Sequence, residues 1–196
     1  KPLSYYAFEM LYWCGIREGE LLALTPADFD FHKQTVTINK SYQRLKGRDV
    51  ITSPKTKKSN RVVKMPQFLS EEMEDCMKLY YSLKPTDRLF PVTKHYLSHE
   101  MDRGCKAAGV KRIRIHDLRH SHVSLLIDMG FTALAIGDRV GHESEKITYR
   151  SMHTCSLRNR QKWQTGLMLR EQGTEQRKEK TRNVSKSFGS AGALEK

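Results

Sequence analysis

The segment Ile115-His116-Asp117-Leu118-Arg119-His120-Ser121-His122 constrains this chain more than any other, because a cluster of imidazoles around a guanidinium runs directly into apolar sequence. Val123, Leu125, Leu126, Ile127 and Met129 follow densely enough to form a buried helix. His116 and Arg119 stand three residues apart and therefore share one face of it. Such a helix either carries a site or merely begins with a solvated polar turn, and the rest of the chain has to decide.

At 196 residues the chain can bury the core of one full domain but not of two large ones. A formal charge of +13 points to a polyanionic partner, most simply nucleic acid. From Ser151 onward ten Lys and Arg stand against four Glu, so this tail carries +6 and residues 1–150 the remaining +7. Cys14, Cys76, Cys105 and Cys155 are scattered singly, which suggests neither a zinc ribbon nor a disulfide framework and fits reduced thiols. No apolar run approaches the roughly 18 residues of a membrane span, and Lys1-Pro2-Leu3 has no signal-peptide character. These features predict a soluble, cytoplasmic protein without a membrane partner.

Helical spacing of Tyr5, Phe8, Leu11 and Tyr12 predicts an amphipathic helix over 3–13 that ends near Gly15. It starts so abruptly that we expect sequence to be missing upstream. A second short helix is expected over 15–24, with Leu21, Leu22 and Leu24 facing inward and Arg17 at its start. A cation there opposes the helix dipole, so Arg17 either pairs with Glu20 or is selected for something other than helix stability.

After Thr25-Pro26 come three β-branched runs, Thr35–Ile38, Asp49–Thr52 and Arg61–Met65, which predict a small three-stranded antiparallel sheet. Residues 54–60 then read as a charged hairpin tip that can reach a phosphate or simply be solvated. Helices are expected again over 69–83, 96–108 and 132–140, the last followed by the loop Gly141-His142-Glu143-Ser144. The whole is an α+β chain, mainly helical, with one small sheet. Beyond Ser151 the sequence turns polar and basic, and disorder is expected after about Arg170.

Arg17, the lysine-rich segment, His116 with Arg119, and His142 thus fall on separate elements, each at an edge. Two arginines, a lysine and histidines without a carboxylate cluster suit a phosphodiester site that works without metal. Guanidiniums fork onto non-bridging oxygens and stabilise charge that grows in the transition state. A lysine or imidazole can move the proton of an attacking or leaving hydroxyl.

The motifs Gly-Ile-Arg17-Glu-Gly-Glu-Leu-Leu-Ala-Leu, Pro-Lys55-Thr, His116-Asp-Leu-Arg119-His-Ser-His and Gly-His142-Glu-Ser resemble, in order, those of the tyrosine recombinase (phage-type integrase) family. The resemblance covers nearly all of residues 3–150. It implies an integrase catalytic domain that cuts double-stranded DNA through a 3′-phosphotyrosine and rejoins it to another strand, with no metal, ATP or other cofactor. Carried over, Arg17 and Arg119 clamp the scissile phosphate, Lys55 is the general acid for the 5′-hydroxyl, and His116 and His142 assist proton transfer and phosphate binding. Lys57, Lys58 and His120 are expected to contact the DNA backbone, and Asp117 and His122 to serve as scaffold or as DNA-backbone contacts and not as catalysts. Family members assemble on paired sites, so self-association on DNA is implied for an intact protein.

One departure stands out. The nucleophilic tyrosine should follow His142 by about nine or ten residues, where this chain has Ser151 and Met152. Tyr149 lies only seven residues after His142, about one helical turn short, and Ser151 lacks the reach of a phenol. Codons offer an explanation. Met152-His153-Thr154-Cys155-Ser156-Leu157 can be written ATG CAC ACC TGT TCC CTC, and a preceding T makes the neighbouring frame read Tyr-Ala-His-Leu-Phe-Pro. On that reading residues 151–196 are a frameshifted tail that replaces the family's C-terminal helix. Two other classes remain. His116 and His120, four residues apart, could be paired zinc ligands of a hydrolase, but the second position is not Glu and Arg119 lies between them. A non-catalytic DNA-binding or regulatory remnant of the same fold differs from the enzyme only at the nucleophile.

Overall fold

The computed structural model describes residues 1–53 and 59–142. Helix α1 (Leu3–Cys14) is the central element and packs against α2, α3 and α5. Its fully covered stripe is Tyr6, Ala7, Met10, Leu11 and Cys14. The sequence placed Tyr5, Phe8 and Tyr12 on that face, but all of them are only partly buried. α1 is apolar on nearly every side, so periodicity alone does not single out the inner face. Apart from Tyr6, smaller side chains face inward where neighbouring helices approach, and the aromatics Tyr5, Phe8 and Tyr12 cover the flanks.

After α1 the chain makes one αL turn at Gly15 (φ 61°) and runs extended through Arg17 into a single helical turn, α2 (Glu18–Leu21). The helix expected over 15–24 is therefore far shorter, although Leu21, Leu22 and Leu24 are all buried as expected. A short 3₁₀ turn over Pro26–Asp28 follows, with Thr25 as its cap.

The sheet is three-stranded and antiparallel, with different members from those the sequence suggested. Strand β1 (Phe29–Asp30) pairs with β2 (Thr35–Ile38), and β2 pairs with β5 (Arg61–Lys64) in the register Val36↔Val63. Strands β3 (Ser41–Leu45) and β4 (Arg48–Thr52) form a separate hairpin. Lys46 and Gly47 connect them with φ of 48° and 80°, the positive pair that a two-residue type I′ turn demands. β4 therefore pairs backward with β3 and not forward with β5, and most of the segment 54–60 expected as a hairpin tip lies outside the described residues.

Helices α3 (Gln67–Lys78), α4 (Lys94–Ala107), α5 (Ile115–Asp128) and α6 (Ala133–Val140) complete the described chain. α3 ends five residues before the expected boundary, and Tyr81 beyond it is fully exposed. The main core joins α1, α2, β2, β5 and α3 to Leu89, Phe90 and Leu97. A smaller cluster of Val123, Leu126, Ile136 and Val140 binds α5 to α6. On α5 the buried face is Arg119, His122, Val123 and Leu126, whereas Met129 is 64% exposed. Of the polar residues in the first turns of this helix, Arg119 and His122 thus point into the protein, whereas His116 and His120 are exposed. Among the described residues no helix is long and apolar enough to cross a membrane, and Cys14, Cys76 and Cys105 are buried free thiols.

Gly15 has both an αL backbone and no room for a side chain, since a Cβ there would lie 2.4 Å from His122 Cδ2. Gly109 is also αL (φ 64°), but a Cβ would meet nothing within 4 Å. Gly109→Ala is expected to cost about 1 kcal/mol from backbone strain, and Gly15→Ala about 2–4 kcal/mol because overpacking adds to it. Urea melts of the two variants check this, and equal losses would contradict the packing assigned to Gly15.

Candidate functional site

Arg119 is the most deeply placed of the expected site residues, 3% exposed on the inner face of α5. Its Nη1 donates to Gly15 O at 2.6 Å and its Nη2 to Val140 O at 2.5 Å. These carbonyls lie at the C-terminal ends of α1 and α6, where backbone acceptors have no partner within their own helix. No carboxylate forms an ion pair with Arg119 among the described residues. Burial, then the nearby charges of Arg17 and Arg61, pull its pKa down to about 9, with Glu20 acting the other way. It still carries its charge at neutral pH.

Arg17 caps α2 from the extended stretch after Gly15. Its backbone N–H donates to Glu20 Oε2 at 2.9 Å and its Nη1 to Glu20 Oε1 at 2.8 Å. Nη2 donates to Gly141 O at 2.9 Å, so the same guanidinium also reaches the end of α6. The pairing with Glu20 weighed for Arg17 is therefore present, and the same side chain is also tied to a second element. Its side chain remains 39% exposed, which leaves it open to an incoming group.

His142 follows the αL cap Gly141 (φ 70°), and its backbone N–H donates to Gly137 O at 3.0 Å. Burial, then Arg119 and Arg17, push the half-buried His142 ring down to about 4. His116, on the exposed first turn of α5, is also lowered by burial, then by His120 and Arg119, with Arg17 adding a smaller effect. Both imidazoles thus feel both arginines. Their neutral form at pH 7 can donate or accept a hydrogen bond. The His120 ring stands edge-on to His116, with centroids 4.8 Å apart.

The structure therefore brings Arg17, His116, Arg119 and His142 together at one place, with His120 beside them. Lys55, Lys57 and Lys58 lie outside the described residues, as do Tyr149, Ser151, Met152 and the whole tail 151–196. Asp117 serves as scaffold at the start of α5, where it accepts from the Arg114 backbone N–H at 2.9 Å.

Sequence reasoning missed Arg61 and Arg139. Arg61 forms a buried ion pair with Glu20, 2.8 Å between Nη2 and Oε2. Burial pushes the Glu20 carboxyl up, but hydrogen bonds from Arg61 and Arg17 outweigh it and hold its pKa below the ordinary value. Arg139 donates through Nη2 to Trp13 O at 3.1 Å and to Lys64 O at 2.9 Å, and through Nε to His122 Nε2 at 3.0 Å. A strand-edge arginine and a helix-surface arginine look solvated in sequence, and nothing in their spacing signals backbone partners far along the chain.

His122 is 2% exposed, and accepting from Arg139 requires Nε2 to be unprotonated. Its Nδ1 is buried without a well-formed hydrogen bond, and the Tyr12 backbone exerts only the weakest of the pulls on the ring. Burial, then Arg139 and Arg119, depress its pKa to about 4.

Residues 3–156 match the family described as "Phage integrase family". The ICEBs1 integrase of Bacillus subtilis is 34% identical over 154 residues, which cover 72% of this chain and 42% of that protein. The integrase of Staphylococcus phage L54a is 30% identical over 74% of this chain and 46% of its own length. The chain thus spans less than half the length of these relatives. Among solved structures, the Tn1549 transposon integrase in complex with circular intermediate DNA superimposes with a TM-score of 0.69 at 23% identity, over 75% of this chain and 54% of that one. The catalytic domain of bacteriophage HP1 integrase gives 0.52 at 19% identity, over 76% and 73%. At these identities the structures establish the fold alone.

The depressed histidines predict a pH dependence of stability. Unfolded imidazoles protonate near pH 6.5, whereas His122 and His142 in the fold do so only near 4. Between these values the unfolded state binds more protons, so acidification favours unfolding. Above pH 6.5 neither ring contributes. For buried His122 the loss by pH 4 is on the order of 2–3 kcal/mol. His122→Gln keeps an acceptor for Arg139 and does not titrate, so its unfolding free energy should fall less steeply from pH 6.5 to 4.5. An unchanged slope in urea melts would refute the assignment.

Proposed function

The chain belongs to the phage integrase family, and on that premise we propose that it is the catalytic domain of a site-specific DNA recombinase, with the phosphate clamp in place but no nucleophilic tyrosine where the reaction needs one. The observation that carries this reading is Arg119, a buried cation held by two carbonyl oxygens and in no ion pair among the described residues. Burying a charge against dipoles alone is unfavourable, and an arriving anion removes that penalty. Partly exposed Arg17 stands ready to share the same anion.

In the proposed reaction Arg17 and Arg119 fork onto the non-bridging oxygens of the scissile phosphate and stabilise the charge that builds at phosphorus. A tyrosine hydroxyl attacks phosphorus and the bond to the 5′-oxygen breaks, with Lys55 supplying the proton to that oxygen. His142 and His116, neutral at pH 7, hydrogen-bond the phosphate and assist proton movement. Lys57, Lys58 and His120 contact the flanking backbone. Neither metal nor ATP enters. Duplex DNA is the partner, the cytoplasm is the place of action, and self-association belongs to the intact recombinase.

Ser151 and Met152 occupy the expected nucleophile positions. We therefore propose that this chain binds DNA without cutting it, the missing tyrosine reflecting a shift of reading frame after Arg150. Tyr149 is the one candidate for residual cleavage. Sequencing the gene across codons 149–170 tests the frameshift, and unshifted homologous sequence there would refute it.

On a nicked suicide substrate, which traps the covalent intermediate, no protein–DNA adduct resistant to denaturation is expected. Duplex binding should persist and weaken at least roughly tenfold between 50 and 200 mM salt, because several phosphates are neutralised. An adduct abolished by Tyr149→Phe would assign cleavage to Tyr149. A flat salt response would contradict the phosphate clamp.

A further inference from the structure

Arg61, the first residue of β5, takes part in none of the steps above, yet its side chain is only 5% exposed and its donors reach two separate helices as well as the stretch just before its own strand. Nη1 and Nη2 fork onto Glu20 Oε1 and Oε2 at 3.1 and 2.8 Å. Nε donates to Arg139 O at 2.9 Å in the last turn of α6, and Nη1 also reaches Ser59 O at 3.3 Å. Both Glu20 oxygens that accept from Arg61 also accept from Arg17. The carbonyl that Arg61 holds on α6 immediately precedes Val140 and Gly141, whose carbonyls take Arg119 and Arg17. A Cβ on Gly141 would lie 3.1 Å from Arg61 Nη1, so the guanidinium also packs directly against the turn that leads into His142.

We propose that Arg61 is a positioning residue for the phosphate clamp, setting Glu20 and the end of α6 so that Arg17 stays oriented toward the substrate phosphate and the group it belongs to keeps a net positive charge. The physical reason is charge sharing. With Arg17 alone, Glu20 would form a neutral pair and hold that arginine for itself. With Arg61 forked onto the same carboxylate, the trio keeps a net positive charge, and the exposed member of it is Arg17. Lysine does not replace this arrangement, since an ammonium is a point charge that cannot span both carboxylate oxygens and a carbonyl in one plane.

The role rests on the clamp reading, and a double-mutant cycle separates the two. Affinity for a short DNA duplex is measured at fixed salt for the unaltered chain, Arg17→Ala, Arg61→Met and the double variant, with a thermal melt for each. Arg17→Ala is expected to weaken binding roughly five- to tenfold, Arg61→Met by a similar factor, and the double variant no further than Arg17→Ala. A purely structural or long-range electrostatic role would instead give multiplying losses, because each charge would act independently. If Arg61→Met does not fold, Arg61→Lys takes its place in the cycle, and the role requires that lysine fail to restore affinity. Independent losses, or full affinity in a folded Arg61 variant, overturn the role of Arg61 and leave the clamp standing. Full affinity in Arg17→Ala overturns the clamp itself, and the role of Arg61 with it.

Discussion

The fold depends on how two helix C-termini are closed against each other. The last backbone carbonyls of α1 and α6 have no acceptor role inside their helices, and both ends carry the negative pole of the helix dipole. Arginines fill the gap: Arg139 on Trp13 O, Arg119 on Gly15 O and Val140 O, Arg61 on Arg139 O, and Arg17 on Gly141 O. Gly15 and Gly141 end the two helices in αL turns, and a Cβ would run into the His122 ring at Gly15 and into the Arg61 guanidinium at Gly141.

This arrangement also creates the electrostatics of the site. Glu20 is the carboxylate at the centre of the cluster, bound by Arg17 and Arg61, while Arg119 is compensated by dipoles. Burial first, and then the surplus of positive charge, keeps His142 and His116 neutral in the free protein, since a proton on either ring would add to that surplus. A phosphate reverses each of these conditions at once. On the proposed reading, scaffold and phosphate site are one set of contacts, and part of the stability is given up to keep an anion site open.

Much of this was legible in the sequence, for reasons that differ between elements. α1, α5 and α6 were placed within about two residues because their apolar periodicity is strong and Gly15, Thr132 and Gly141 mark their ends. The residues now found clustered, Arg17, His116, Arg119 and His142, were picked out by motif resemblance and by charge at element edges. β3 was missed because Ser41–Leu45 is half exposed and scarcely alternates, although Lys46-Gly47 signalled its hairpin. The inner faces of α1 and α5 were misjudged because hydrophobicity alone excludes buried polar residues, and α5 buries Arg119 and His122 in place of Met129. Arg61 and Arg139 were illegible because their partners are distant backbone carbonyls, which leave no pattern along the chain.

The central claim is that the cluster around Arg119 receives a DNA phosphate. The most direct measurement is the titration of the His116 and His142 rings by NMR, with and without a saturating short duplex. A phosphate between the arginines offsets the positive field, so both pKa values should rise together when DNA is bound. Two rings that titrate identically in the free and the DNA-bound protein would contradict the account.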